Sequence, residues 1–207
     1  MRKPRRLRKD EIVAEATRLF AERGYEGASM GDLAERVGLR KASLFHHFSS
    51  KDALYAAVLD ELMQSVEAAI VGAATAEGSH AERLDRVNDA LTTILGDKPH
   101  AARLLVRDLM DGGPGTRPGI ERTMHHLLGA ALEFAKAGQR DGAFDPGLDP
   151  AHLILTLVGA HVLPFAMTDV VERLTGVAPI DASFVEARRA AIRMQARAIV
   201  LAKGAPK

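Results

Sequence analysis

No cysteine and no tryptophan occur among the 207 residues, and aromatic residues make up only 4% of the chain. Without cysteine there is no disulfide framework, no thiolate nucleophile and no Cys-type zinc site. That composition fits a reducing cytoplasm. With so few aromatic rings, Leu, Ala, Val, Ile and Met must fill the interior, which suits interdigitating helices better than a β-sandwich. The chain also lacks a long apolar run. Its longest stretch free of Asp, Glu, Lys and Arg covers 19 residues, Pro150 to Thr168, and holds two His, two Thr, a Gly and two Pro. Such a segment is a poor membrane span. A helix apolar on most of its circumference is better placed between its own core and a partner. The basic start, Met1 to Lys9, runs into Asp10, Glu11, Glu15 and Arg18 rather than an apolar segment, so no secretion signal is expected.

Enzymatic motifs are missing too. There is no Gly-x-Gly-x-x-Gly after a strand, no Gly-Lys-Ser/Thr phosphate loop, no Gly-x-Ser-x-Gly and no His-Glu-x-x-His. The Asp111-Gly-Gly-Pro-Gly115 run is followed by no Lys-Ser/Thr and reads as an inter-helix connection. Neither an enzyme nor a metal or cofactor protein is expected.

What is present is an uneven distribution of charge. The net charge of +1 conceals 12 basic against 7 acidic residues in 1–51, and 16 against 20 in the remainder. One end suits a polyanion and the other does not, although a basic tail alone has the same signature.

The periodicity predicts an all-α chain. Ile12, Val13, Ala16, Leu19 and Phe20 form one helical stripe, stopped by Gly24. Ser29 and Asp32 have capping-box spacing and open a second helix with Met30, Leu33, Ala34 and Val37 inward. Gly38 ends it, and a third short helix is predicted from about Arg40 to Phe48. Ser49 and Asp52 repeat the capping-box spacing and are expected to open a fourth, long helix striped by Leu54, Val58, Leu62, Val66 and Ile70. Further helices are predicted near 80–95, 98–111, 118–138, 150–174 and 182–203, separated by Gly and Pro. Asp149-Pro150 is a strong helix start, and Pro164 should kink the helix that contains it.

A short helix, a Gly-containing turn and a second short helix form the helix-turn-helix layout, whose second helix can enter the major groove of DNA. On the third helix Leu44 and Phe48 face inward, leaving Lys41, Ser43, His46 and His47 outside. Donors without carboxylates are what a surface reading phosphates and bases requires. Adjacent helical residues point about 100° apart, so the two histidines do not chelate one metal. One or both are expected to contact DNA, with a packed histidine as the alternative.

The run from Leu33 to Leu54, LAERVGLRKASLFHHFSSKDAL, resembles the DNA-binding signature of the tetracycline-repressor (TetR) family, and the match begins at Ala16 through Tyr25. The resemblance implies an N-terminal three-helix domain in 1–51 with a basic arm, and a helical bundle in 52–207 for effector binding and dimerisation. It implies that Ser43 contacts phosphate, that Lys51 clamps phosphate, and that Lys41 and Ala42 touch bases. His46 and His47 fall at the variable slot and the second aromatic position. Phe45 replaces a Tyr, removing a hydroxyl, and Arg40 replaces a capping Ser while offering a further phosphate contact. Arg2, Lys3, Arg5, Arg6 and Arg8 would enter the minor groove or act as a non-specific anchor.

By the same resemblance, the last two long helices pair with a second copy, and Val185, Ile192 and Ile199 at heptad spacing suit such a pairing; a monomer with a large core is the alternative. A ligand pocket is expected among the middle helices, walled by Leu104, Leu105, Leu109, Met110, Leu127, Leu128 and Leu132. Arg103, Arg107, His125 and His126 are its candidate polar anchors. The implied function is a repressor released from a near-palindromic operator by a small apolar ligand. A ligand-independent or activating DNA-binding protein is the alternative.

Overall fold

A computed structural model describes residues 9–111 and 118–201, with side chains throughout except at 101, 108–111 and 118–122. The basic arm and the wall candidates Leu109 and Met110 lie outside that description. The protein is all-α. Its helices are α1 (Lys9–Gly27), α2 (Met30–Arg36), α3 (Lys41–His47), α4 (Lys51–Thr75), α5 (His80–Asp97), α6 (Pro99–Asp111), α7 (Pro118–Arg140), α8 (Pro150–Ala166), α9 (Thr168–Thr175) and α10 (Ala182–Val200).

Local chemistry explains the boundaries. Regular helix in α1 stops at Gly24, whose φ of 71° suits only a residue without a side chain. Ser29 caps α2 through the full reciprocal box with Asp32. The fourth helix departs from expectation. Its N-cap is Ser50, whose hydroxyl accepts from the Ala53 amide at 3.0 Å. Ser49 stays exposed, and the Asp52 carboxylate accepts a hydrogen bond from the Tyr25 hydroxyl instead of closing a capping box.

A second departure falls in the segment read as one helix over 150–174. The chain breaks at Met167, and α8 and α9 meet at 88°. Pro164 accounts for the weakness, because it has no amide proton for the carbonyl of Ala160 one turn earlier. Arg188 of α10 supplies the missing donor, its Nη2 bonding to that carbonyl. No single helix among the described residues is long and apolar enough to cross a membrane.

One apolar cluster joins α1–α4 and draws in Leu104 of α6 and Leu127 of α7. Phe20, Tyr25 and Tyr55 pack there edge to face or stacked, with centroids 4.9–6.1 Å apart. Farther along, α5 and α10 run antiparallel and are laced at four-residue intervals. Arg189 meets Thr93 at 3.0 Å, Arg193 pairs with Asp89, and Arg197 holds Asp85 through Nε and Nη2 at 3.0 and 2.7 Å. The side chain of Phe144 lies so close to Gly138 on α7 that a methyl group there would collide with its ring.

Candidate nucleic-acid interface

The third helix is only seven residues long, and its faces are sharply divided. Leu44 is fully buried and Phe48, the C-cap, nearly so. These two anchor α3 onto α1 and α2 within the first apolar cluster. Lys41, Ala42, Phe45, His46 and His47 are exposed, Ser43 is half-buried, and no carboxylate occurs between Arg40 and Lys51. The N-cap residue Arg40 makes no side-chain capping bond; its carbonyl accepts from the Ser43 amide at 2.8 Å, and its own side chain is exposed.

Several acids of the neighbouring helices are already engaged. Arg36 pairs with Glu15 at 3.5 Å and Glu22 at 2.5 Å, and Arg23 pairs with Asp32 at 3.1 Å. The hydrogen bond from Arg36 lowers the pKa of Glu22, and that from Ser29 lowers that of Asp32. Their negative charge is spent within α1 and α2.

Lys51, at the start of α4, holds its Nζ 4.1 Å from the centroid of the Tyr25 ring. The arrangement therefore brings together an exposed helix bearing donors, a flanking arginine and an oriented lysine, which can bond phosphate oxygens and base edges. Residues 12–58 match the family described as bacterial regulatory proteins, tetR family. Over that segment the chain carries a domain similar to those of the TetR family.

This TetR domain is also the segment shared with curated relatives. It is 47% identical over 47 residues to the biofilm operon icaADBC HTH-type negative transcriptional regulator IcaR of Staphylococcus aureus, covering 23% of this chain and 25% of that one. The match therefore spans about a quarter of that relative's length. Beyond the TetR domain the likeness is one of fold. The ketosteroid transcriptional regulator KstR2 of Mycobacterium tuberculosis superposes with a TM-score of 0.79 at 17% identity, covering 96% of this chain and 97% of that chain. AibR in complex with isovaleryl coenzyme A and operator DNA superposes with a TM-score of 0.73 at 19% identity, covering 91% of this chain and 97% of that chain.

A second candidate site lies among α4, α5, α7, α8 and the end of α10. An apolar cavity of about 100 Å³ is walled there by residues including Ile70, Leu84, Leu91, Phe134, Leu153 and Leu157. Arg103, Arg107, His125 and His126 do not line it; all four are exposed. His126 faces Glu67 at 2.7 Å, and the guanidinium of Arg107 packs beside Gly24. Leu104 and Leu127 belong to the apolar cluster around α1 and α4. The polar groups at the cavity are Asn88 and His161, which the sequence reading passed over. A signal existed: Asn88 and Thr92 interrupt the inward stripe of Leu84 and Leu95, and His161 interrupts the uncharged segment of α8.

Proposed function

We propose that the protein is a dimeric, sequence-specific transcriptional regulator, a repressor that leaves its operator when a small apolar ligand occupies the helical half. The observation that carries this reading is the carboxylate-free outer face of α3, presented by a buried Leu44 and Phe48 within the TetR domain. Arg40, Lys41, Ala42, Ser43, Phe45, His46, His47 and Lys51 are the proposed DNA contacts. The division of labour falls near residue 51, with 1–51 reading DNA and 52–207 sensing and pairing. Acting on operator DNA, the protein works in the cytoplasm. The similarity to IcaR, a negative transcriptional regulator, supports the sign of control.

Pairing is supported by an apolar surface that the described residues leave uncovered. Leu155 is 66% exposed, Leu174 80% and Met194 67%, on α8, α9 and α10 respectively. Large exposed side chains concentrated in this way mark an interaction surface, and a second copy satisfies it by two-fold symmetry. Two recognition helices then fall on successive major-groove faces of a near-palindromic site. Ligand response follows if the ligand fits only one of two spacings of the pair.

Selection from random duplexes by the purified protein tests the reading, with enrichment of an inverted repeat as the expected result. Failure to enrich any sequence overturns it. On the selected duplex, Lys51→Ala should weaken binding to all variants alike and reduce the salt slope by about one unit.

A further inference from the structure

Two buried polar side chains face the apolar cavity with hydrogen-bonding capacity left over. Asn88 is 1% exposed and His161 3%. Among the described residues Asn88 Nδ2 and His161 Nε2 have no hydrogen-bond partner, and both residues line the cavity. A polar atom left unpaired in an apolar interior costs a sizeable desolvation penalty. The main-chain carbonyl of Asn88 accepts from the Thr92 hydroxyl at 2.8 Å, and the imidazole Nδ1 of His161 lies 2.8 Å from the Leu157 carbonyl.

A carbonyl only accepts, so the Leu157 contact favours a proton on Nδ1 and leaves Nε2 as the acceptor. Burial lowers the pKa of His161 most, and the positive charge of Arg188 lowers it further, against the Leu157 and Asn88 carbonyls that favour a proton. The ring is neutral near pH 7. Across the pair, Asn88 offers an N–H and His161 accepts a proton.

The remaining walls are hydrocarbon, and among the described residues no charged side chain lines the cavity. An ionised head group would be buried there without a counter-charge, at high cost. We infer that Asn88 and His161 form the recognition end of an effector site for small uncharged molecules with an apolar body and a hydroxyl head. One hydroxyl accepts from Asn88 Nδ2 and donates to His161 Nε2, using both unpaired atoms. Toluene-like hydrocarbons use neither, and carboxylates fail on charge. The cavity volume of about 100 Å³ is of the order occupied by a benzene ring in other proteins.

This inference rests on the regulator reading for its biological meaning, but its chemistry is measured separately. Benzyl alcohol, toluene and benzoate serve as probes, titrated by calorimetry or NMR into the full-length protein at pH 7.5. Benzyl alcohol should bind at least about tenfold more tightly than toluene, the scale of one well-made buried hydrogen bond, and benzoate should bind weakest. In Asn88→Leu and His161→Phe, each checked for retained helicity, the preference should shrink to about twofold with toluene still bound.

The assignment is overturned if toluene matches benzyl alcohol, if both folded variants keep the full preference, or if no probe displaces whatever water the cavity holds. The outcomes for DNA stand apart. Selective alcohol binding by a protein that enriches no duplex leaves the site in place and removes the regulator reading. Duplex selection without probe binding does the reverse.

Discussion

The two ends of the molecule place polar and apolar groups in opposite ways. Around α3, hydrocarbon is inside and hydrogen-bond donors are outside: Leu44 and Phe48 are buried, while Lys41, His46 and His47 are exposed. Around α8 the arrangement is partly inverted. Leu155 and Leu163 face outward, and His161, with Asn88 of α5, is buried. An isolated apolar residue on a surface means little, and a buried polar residue is usually paired. Inversions clustered in one region mark the places where the chain is complete only with something bound. On the proposed reading, the N-terminal end signals its partner by charge and donors, and the C-terminal end by misplaced polarity.

The largest effect that sharpens this contrast is expected at Leu44. Leu44→Ala removes a fully buried side chain and should cost about 2–5 kcal/mol in denaturant unfolding. Specific DNA binding should fall with it, while benzyl alcohol affinity in the still-folded protein stays unchanged. Equal losses at both sites would erase the distinction between the two ends.

A smaller loss, about 1–3 kcal/mol, is expected for Arg188→Met, because the Ala160 carbonyl then loses the donor that Pro164 cannot supply. Here the helical half should suffer first, seen as faster amide exchange in α8 and α10 than in α1–α3. Uniform exchange would show the halves to be one cooperative unit.

The smallest effect concerns acid. With the folded pKa of His161 held below the ordinary 6.5, the unfolded chain takes up a proton first. Stability is therefore full above pH 6.5 and declines as pH falls toward the folded value, by up to about 1.4 kcal/mol per unit. His80, whose pKa burial also lowers, titrates in the same sense and leaves a background slope. His161→Leu should flatten the decline between pH 7.5 and 5.5 relative to the parent. Parallel pH profiles would mean that the buried imidazole contributes nothing to the difference between the two ends.

Sequence alone disclosed the first end almost completely. Ser29 and Asp32 form the capping box that their spacing announced, and Leu44 and Phe48 occupy the inward positions that a seven-residue helix allows. These features are local, written in residues a turn apart. The misplacement of the α4 cap by one residue, from Ser50 to Ser49, came from a contact 27 positions distant, where Tyr25 engages Asp52. The cavity was illegible for the same reason. Its walls come from five helices, and a void is a property of how they meet. Arg107 and His126 looked like anchors because they are polar amid leucines, yet their periodicity put them on outer faces, where Glu67 receives one and Gly24 the other.

The position of Lys51 over the Tyr25 ring has a consequence for the strength of the proposed grip on DNA. A free lysine surrenders up to about 2 kcal/mol of rotational freedom when its ammonium is fixed. Here part of that ordering is completed when the chain folds, so in the proposed complex a phosphate meets a side chain already confined near its working position.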